Sequence, residues 1–156
     1  MLSYRERIAE FYTMLSTSCK YALRAAVYLT ANTDEIKRAG IKEIAKEIEA
    51  NEHTTAKILQ LLVKERIIGS VKGPNGGFYI SRHSKKIRLI DIVKVVDGVF
   101  FFFECGLGLR RCSETKPCPI HHTYKVSREK LYKEFSSITI QELAADIEKG
   151  EAFLKR

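Results

Sequence analysis

The chain has 156 residues, is 45% hydrophobic and carries a formal charge of +8, a composition that supports a packed core and argues against a disordered chain. It has no apolar run long enough to span a membrane, and "MLSYRERIAEFYTM" places Arg5, Glu6, Arg7 and Glu10 where a signal peptide would be apolar, so a cytoplasmic protein with reduced thiols is expected. Residues 17–88 hold 14 Lys and Arg against 7 Asp and Glu, whereas residues 89–156 hold 11 against 10; positive charge confined to the first half suits a nucleic-acid-binding module, or simply a soluble surface.

Along the chain, "TSCKYALRAAVYLTAN" spaces Ala22, Ala25, Ala26 and Leu29 as one face of a helix, with Thr17 or Ser18 as its N-cap and an end near Thr30. Ile41, Ile44, Ala45 and Ile48 mark a second helix. Asn51 can cap a third, which turns Thr55, Ile58, Leu59 and Leu62 inward. The gap between these two is so short that a helix-turn-helix is expected, although a generic pair of core helices has the same pattern. Two short strands follow, near Gly69–Lys72 and Phe78–Ser81, around the turn Gly73-Pro74-Asn75-Gly76-Gly77, whose Gly76 and Gly77 allow positive φ. Three helices and a basic hairpin in this order describe a winged helix. Lys72 and Asn75 stand at the shoulder and tip of the wing, within reach of phosphate or a minor groove.

Leu89, Ile92, Val93 and Val96 predict a further helix stopped by Gly98. The four phenylalanines 100–103 have no helical period and read as core or subunit-interface packing. Ile120, Tyr124, Ser127, Leu131, Phe135 and Ile138 recur at intervals of three and four, the stripe of a long amphipathic helix that either covers the first half or pairs with a second copy. Thr139 and Glu142 form a capping box ahead of Ile140, Leu143, Ala144 and Ile147. The fold class expected is mainly α with a small β-hairpin wing, divided into an N-terminal extension (1–13), a DNA-binding domain (14–98), a cysteine-rich loop (99–122), and a dimerisation helix with a C-terminal helix (120–156).

Between those helices lies "FECGLGLRRCSETKPCPIHH", in which Cys105, Cys112, Cys118 and His121 are separated by six, five and two residues. Three thiols are excessive for nucleophilic catalysis, and no enzyme or small-molecule substrate is argued. Cys₃His can hold structural zinc, but zinc commonly takes close Cys-x₂-Cys pairs, and none occurs here. Wide spacings let a loop wrap a larger iron–sulfur cluster. Arg110, Arg111 and Lys116 would offset thiolate charge or merely be solvated. Cys19, in the first helix, reads as a small buried residue.

The stretches "MLSTSCKYALRAAVYL", "IAKEI", "AKILQLLVKERIIGSVKGPNGGFYIS", "IRLIDIVKVVDG" and "CPIHH" resemble the Rrf-type family of bacterial winged-helix transcription regulators, whose members include IscR, NsrR, RirA and CymR, from Met14 to about residue 135. The resemblance implies a cytoplasmic homodimer on double-stranded DNA, crossing through the long helix at Ile120, Tyr124, Leu131, Phe135 and Ile138. It also implies a cluster held by Cys105, Cys112 and Cys118. His121 stands where the IscR branch has its fourth ligand, with His122 or Glu104 behind it. Histidine ligation favours [2Fe–2S] over [4Fe–4S], and aerobic purification is expected to lose the cluster. The first spacing is wider by one residue than the IscR pattern. The regulator would sense redox state, nitric oxide or iron–sulfur status. One rival keeps the DNA-binding dimer with zinc or a thiol switch; another is a cluster carrier or protein-interaction module that does not bind DNA. The DNA-contact candidates are Asn51, His53, Thr54, Thr55 and Lys57 on the recognition helix, Lys20, Tyr21 and Arg24 on the first helix, and Lys72 and Asn75 on the wing. Residues 1–13 have no family counterpart and are either an extension from an upstream start or a helical arm on the partner.

Overall fold

The computed structural model describes residues 14–155; the expectations for residues 1–13 lie outside the described residues. Helices α1 (Thr17–Asn32), α2 (Ile41–Ile48) and α3 (Glu52–Lys64) precede a hairpin of β1 (Gly69–Val71) and β2 (Gly77–Tyr79). Then come α4 (Leu89–Val96), a 3₁₀ turn (Phe100–Phe102), α5 (His121–Ser137) and α6 (Ile140–Glu148). The fold is a winged helix-turn-helix followed by a long helix and a short one.

The cap of α1 is Ser16, not Thr17 or Ser18. Its Oγ accepts the Cys19 N–H at 3.0 Å. The Asp97 carboxylate beyond α4 in turn accepts the Ser16 N–H at 2.8 Å and its hydroxyl at 2.5 Å. A carboxylate at a helix N-terminus meets the positive end of the helix dipole. The helix runs past Thr30 to Asn32, and Thr33 ends it. The Thr33 hydroxyl donates to the Leu29 carbonyl at 2.6 Å and accepts the Ile80 N–H at 3.2 Å.

Glu49 closes α2 in the left-handed region (φ +55°). Asn51 caps α3 as expected, its Oδ1 accepting the Thr54 N–H at 2.8 Å. The strands are shorter than predicted, paired Gly69 with Tyr79, Ser70 with Phe78 and Val71 with Gly77. At the turn, Gly73 and Gly77 take φ of +106° and +151°. Gly76 is required for space, not for φ, since a Cβ there would lie 2.2 Å from the Val71 carbonyl oxygen. At the far end Thr33 takes the Ile80 N–H, so the ladder stops at Tyr79. Ala39 exchanges both backbone hydrogen bonds with Phe78, at 3.0 and 2.8 Å, and extends the wing toward α1.

One apolar cluster joins Ala22, Ala25, Ala26 and Leu29 of α1 to Ile44 and Ile48 of α2, Ile58, Leu59 and Leu62 of α3, Ile92 of α4, and Ile140 and Ala144 of α6. The last helix thus packs along α1, back within the winged domain. Thr139 and Glu142 form the expected capping box. Leu89 N–H donates to Ile138 and Ile140 N–H to Ile87, at 3.0 and 2.8 Å, stitching the start of α6 beside the start of α4. A second cluster is built on Cys19, Ile90, Val93 and Phe102, and Leu131, Tyr132 and Phe135 of α5 pack against it. The Phe102 ring meets Tyr132 edge-on at 5.2 Å and Phe135 at 5.9 Å. Of the four phenylalanines only Phe102 is buried, while Phe100 and Phe103 are exposed. Leu131 and Phe135 of the expected dimer stripe therefore serve packing within their own chain. Ile120 and Tyr124 remain exposed, as does Val126, which lies off the stripe. No helix among the described residues is long and apolar enough to cross a membrane.

Candidate nucleic-acid interface and metal centre

Because α3 buries Thr55, Ile58, Leu59 and Leu62, the residues between them are left outside. His53, Lys57 and Gln60 are exposed and Thr54 is half-buried. Thr55 is a correction: it is fully buried, and its hydroxyl donates to the Asn51 carbonyl at 2.9 Å, so it is not available to DNA. It occupies the inward position of the helix period, which outweighs its polar character. Asn51 is exposed, but its side chain is engaged as the cap of α3. Lys20, Lys72 and Asn75 are exposed. Arg24 is committed elsewhere. Its guanidinium lies 3.8 Å from the Glu49 carboxylate and stacks over the Tyr21 ring at 4.9 Å. Sequence reading passed over Arg38, whose guanidinium donates to the Asn75 carbonyl at the wing tip at 3.2 Å. Arg38 lies in the connection between α1 and α2, where no periodicity marks it.

The cysteine loop folds onto the first turns of α5. All four cysteines are free. The four predicted ligands form two pairs. The Cys105 and Cys118 sulfurs are 3.6 Å apart, and the Cys112 sulfur lies 3.3 Å from His121 Nδ1. Among the described residues no three His, Cys, Asp or Glu side chains converge on one point as a single metal ion needs. His121 is buried, and its Nε2 has no hydrogen-bond partner, Glu114 standing 3.7 Å away. His122 and Glu104 are exposed. The backbone N–H groups of Leu107 and Leu109 hold the Cys105 thiol below its usual range, helped by Cys118 and the Arg128 charge. Cys19 is the opposite case: burial, and then Asp97, push its thiol up to about 12, so it is inert. An open pocket of about 650 Å³ lies against the loop, with Cys105 and Cys112 in its wall beside Phe100, Phe103, Arg110 and Arg111. Arg128 of α5 was not anticipated, since it reads as one of several charges on an amphipathic helix. It donates to the Cys112 sulfur at 3.3 Å and to the Glu104 carbonyl at 2.5 Å.

Residues 15–146 match the model of the Rrf2 family, described as iron-dependent transcriptional regulators. The chain belongs to the Rrf2 family. It is similar to an HTH-type transcriptional regulator of Aquifex aeolicus, 32% identical over 132 residues that cover 83% of this chain and 90% of the relative. Among solved structures it is similar to CymR, the global cysteine regulator of B. subtilis, with a TM-score of 0.70, 20% identity, and coverage of 85% of this chain and 97% of CymR. It is also similar to T. potens IscR, with a TM-score of 0.68, 20% identity, and coverage of 92% and 94%. At that identity the two structures show the shared fold alone. Rrf2 proteins are transcriptional regulators, not enzymes, and membership implies DNA as the partner.

Proposed function

We propose that this Rrf2 chain is a homodimeric DNA-binding regulator whose affinity for its operator responds to an iron–sulfur cluster held by Cys105, Cys112, Cys118 and His121. The observation that carries the reading is the division of the four donors into two pairs. Two ligands on one tetrahedral metal, with metal–sulfur bonds of about 2.3 Å, stand roughly 3.5 to 3.8 Å apart. A Cys–Cys pair at 3.6 Å and a Cys–His pair at 3.3 Å are close to that spacing, one pair for each of two metals. We read two such pairs as suited to a [2Fe–2S] group rather than to a single four-coordinate zinc, because no three donors group together among the described residues. With Nδ1 turned to Cys112, His121 Nε2 is buried without a partner, and a neighbouring carboxylate such as Glu114, 3.7 Å away, is the acceptor that would fix the ring. When bound, the cluster supplies one-electron redox chemistry and reactivity toward oxidants and nitric oxide. The protein's own residues hold the loop. Leu107 and Leu109 donate to the Cys105 sulfur, Arg128 donates to Cys112, and the exposed phenylalanines 100 and 103 shield one side of the pocket.

On DNA, His53, Thr54 and Lys57 stand where α3 would present base-reading groups to a major groove, and Lys72 and Asn75 where the wing would follow the backbone. Iron and sulfide quantitation after anaerobic reconstitution tests the ligand set. Ser substitution of Cys105, Cys112 or Cys118 is expected to abolish the cluster, whereas Cys19→Ser leaves it intact; full loading of Cys112→Ser would remove the assignment. A second reading, a thiol–disulfide switch, is favoured by the 3.6 Å between the Cys105 and Cys118 sulfurs. It predicts that oxidation alone, without iron, changes DNA affinity and leaves Cys105 and Cys118 joined in a peptide map.

A further inference from the structure

We propose that Arg128 is a positioning residue through which the cysteine loop is clamped to α5, so that a change at the Cys112 sulfur is passed to the long helix. The inference rests on the cluster reading for its redox consequence, but the clamp itself is a property of the metal-free chain.

Four contacts from α5 meet residues 104–112, one of them the His121–Cys112 pair already described. One end of the Arg128 guanidinium donates to the Glu104 carbonyl, before the first cysteine, and the other to the Cys112 sulfur, at the far end of the segment. One planar fork thus closes a nine-residue span against a single helix position, which a point-charge ammonium cannot reproduce with two fixed directions. Between them, the backbone of Gly106 lies close against the Tyr124 ring. A Cβ at Gly106 would sit 2.9 Å from three atoms of that ring. Arg128 in turn lies 5.9 Å from the Tyr124 ring centre, one helical turn away. The same helix carries Leu131 and Phe135 into the cluster around Phe102, so it is anchored to the winged domain. Whatever removes the Cys112 sulfur as an acceptor, alkylation for example, leaves half of the guanidinium unpaired, and Arg128 then holds the loop at Glu104 alone.

The test uses the full chain with Arg128→Met, Arg128→Lys and Cys112→Ala. In the reduced, metal-free protein, trypsin cleavage after Arg110 and Arg111 reports release of the loop. Arg128→Met is expected to be cut there roughly tenfold faster than the parent chain, and Arg128→Lys to fall between. Adding Arg128→Met to Cys112→Ala should have less effect than in the parent chain, because the two share the Arg128–Cys112 bond. A residue that merely packs would give additive effects. In the reconstituted protein, loss of the donor and charge at Cys112 should shift the cluster potential to more negative values in Arg128→Met and less so in Arg128→Lys. Parental cleavage in Arg128→Met, or additivity with Cys112→Ala, would overturn the proposal. A parent chain that takes up no cluster refutes the cluster reading, and the cleavage comparison still decides the clamp.

Discussion

Replacing Glu49 by Gln should make DNA binding tighter and more sensitive to salt. Glu49 sits 3.8 Å from the Arg24 guanidinium, and both side chains are partly exposed. Such a pair adds little to stability, but it presents no net charge to a phosphate. The exposed lysines Lys20, Lys57 and Lys72 are then the unpaired phosphate contacts of the candidate set, about six in a dimer. At about −0.9 per phosphate, log K against log salt should have a slope near −5. With Arg24 also free, the dimer would make about eight such contacts and the slope would lie near −7. Glu49→Gln releases Arg24 and should restore that slope. Glutamine tolerates the left-handed backbone at position 49 no worse than glutamate, so the turn is preserved. Over a fourfold rise in salt, the variant should lose roughly 12-fold more affinity than the parent. Fluorescence anisotropy on one labelled duplex between 50 and 200 mM salt measures both slopes. An unchanged slope would mean that Arg24 does not face DNA, or that Glu49 does not neutralise it.

Other substitutions separate DNA reading from structure. Thr55→Val should leave sequence preference untouched, since Thr55 is buried, and should cost about 1 kcal/mol in denaturant melts; His53→Ala or Thr54→Ala should instead alter the preferred sequence in a selection experiment. Phe102→Ala should destabilise the chain by about 3–5 kcal/mol, because its ring is the centre of the second cluster. The Glu142 carboxyl is held low by the Thr139 hydroxyl and N–H; its contribution to stability is present above the unfolded value of 4.5 and lost as the pH falls through the depressed folded value. Glu142→Gln should flatten that part of the acid unfolding curve, and an unaltered curve would show that the capping box is not the titrating element. Val126→Asp on the exposed side of α5 should dissociate a dimer without loss of helicity, whereas Leu131→Asp should unfold part of the chain itself; sedimentation and circular dichroism distinguish the two.

Much of the fold is written in short-range chemistry. The period of Ile44, Ala45, Ile48, Ile58, Leu59 and Leu62 defines α2 and α3 because burial enforces it. The Asn51 cap and the Thr139–Glu142 box are local hydrogen bonds between near neighbours. What sequence reading missed depends on distant partners. Ser16 outcompetes Thr17 and Ser18 as a cap because Asp97, 81 residues away, holds it. The hairpin is trimmed by Thr33, which takes the Ile80 N–H. Arg38 and Arg128 look like ordinary surface charges until the wing tip and the cysteine loop are folded against them. The spacing of Cys105, Cys112, Cys118 and His121 shows that they share a loop, but the division into two pairs follows from the first turn of α5 carrying His121 to Cys112.

DNA affinity with and without the cluster tests the account most directly. A duplex selected from random sequence would be titrated with anaerobically reconstituted protein and with the same preparation after chelation. Iron and sulfide should be counted at roughly two each per chain in the first and none in the second. The account predicts affinities that differ by at least about tenfold, a coupling of about 1.4 kcal/mol. Equal affinity of the loaded and metal-free chains on that duplex would contradict it.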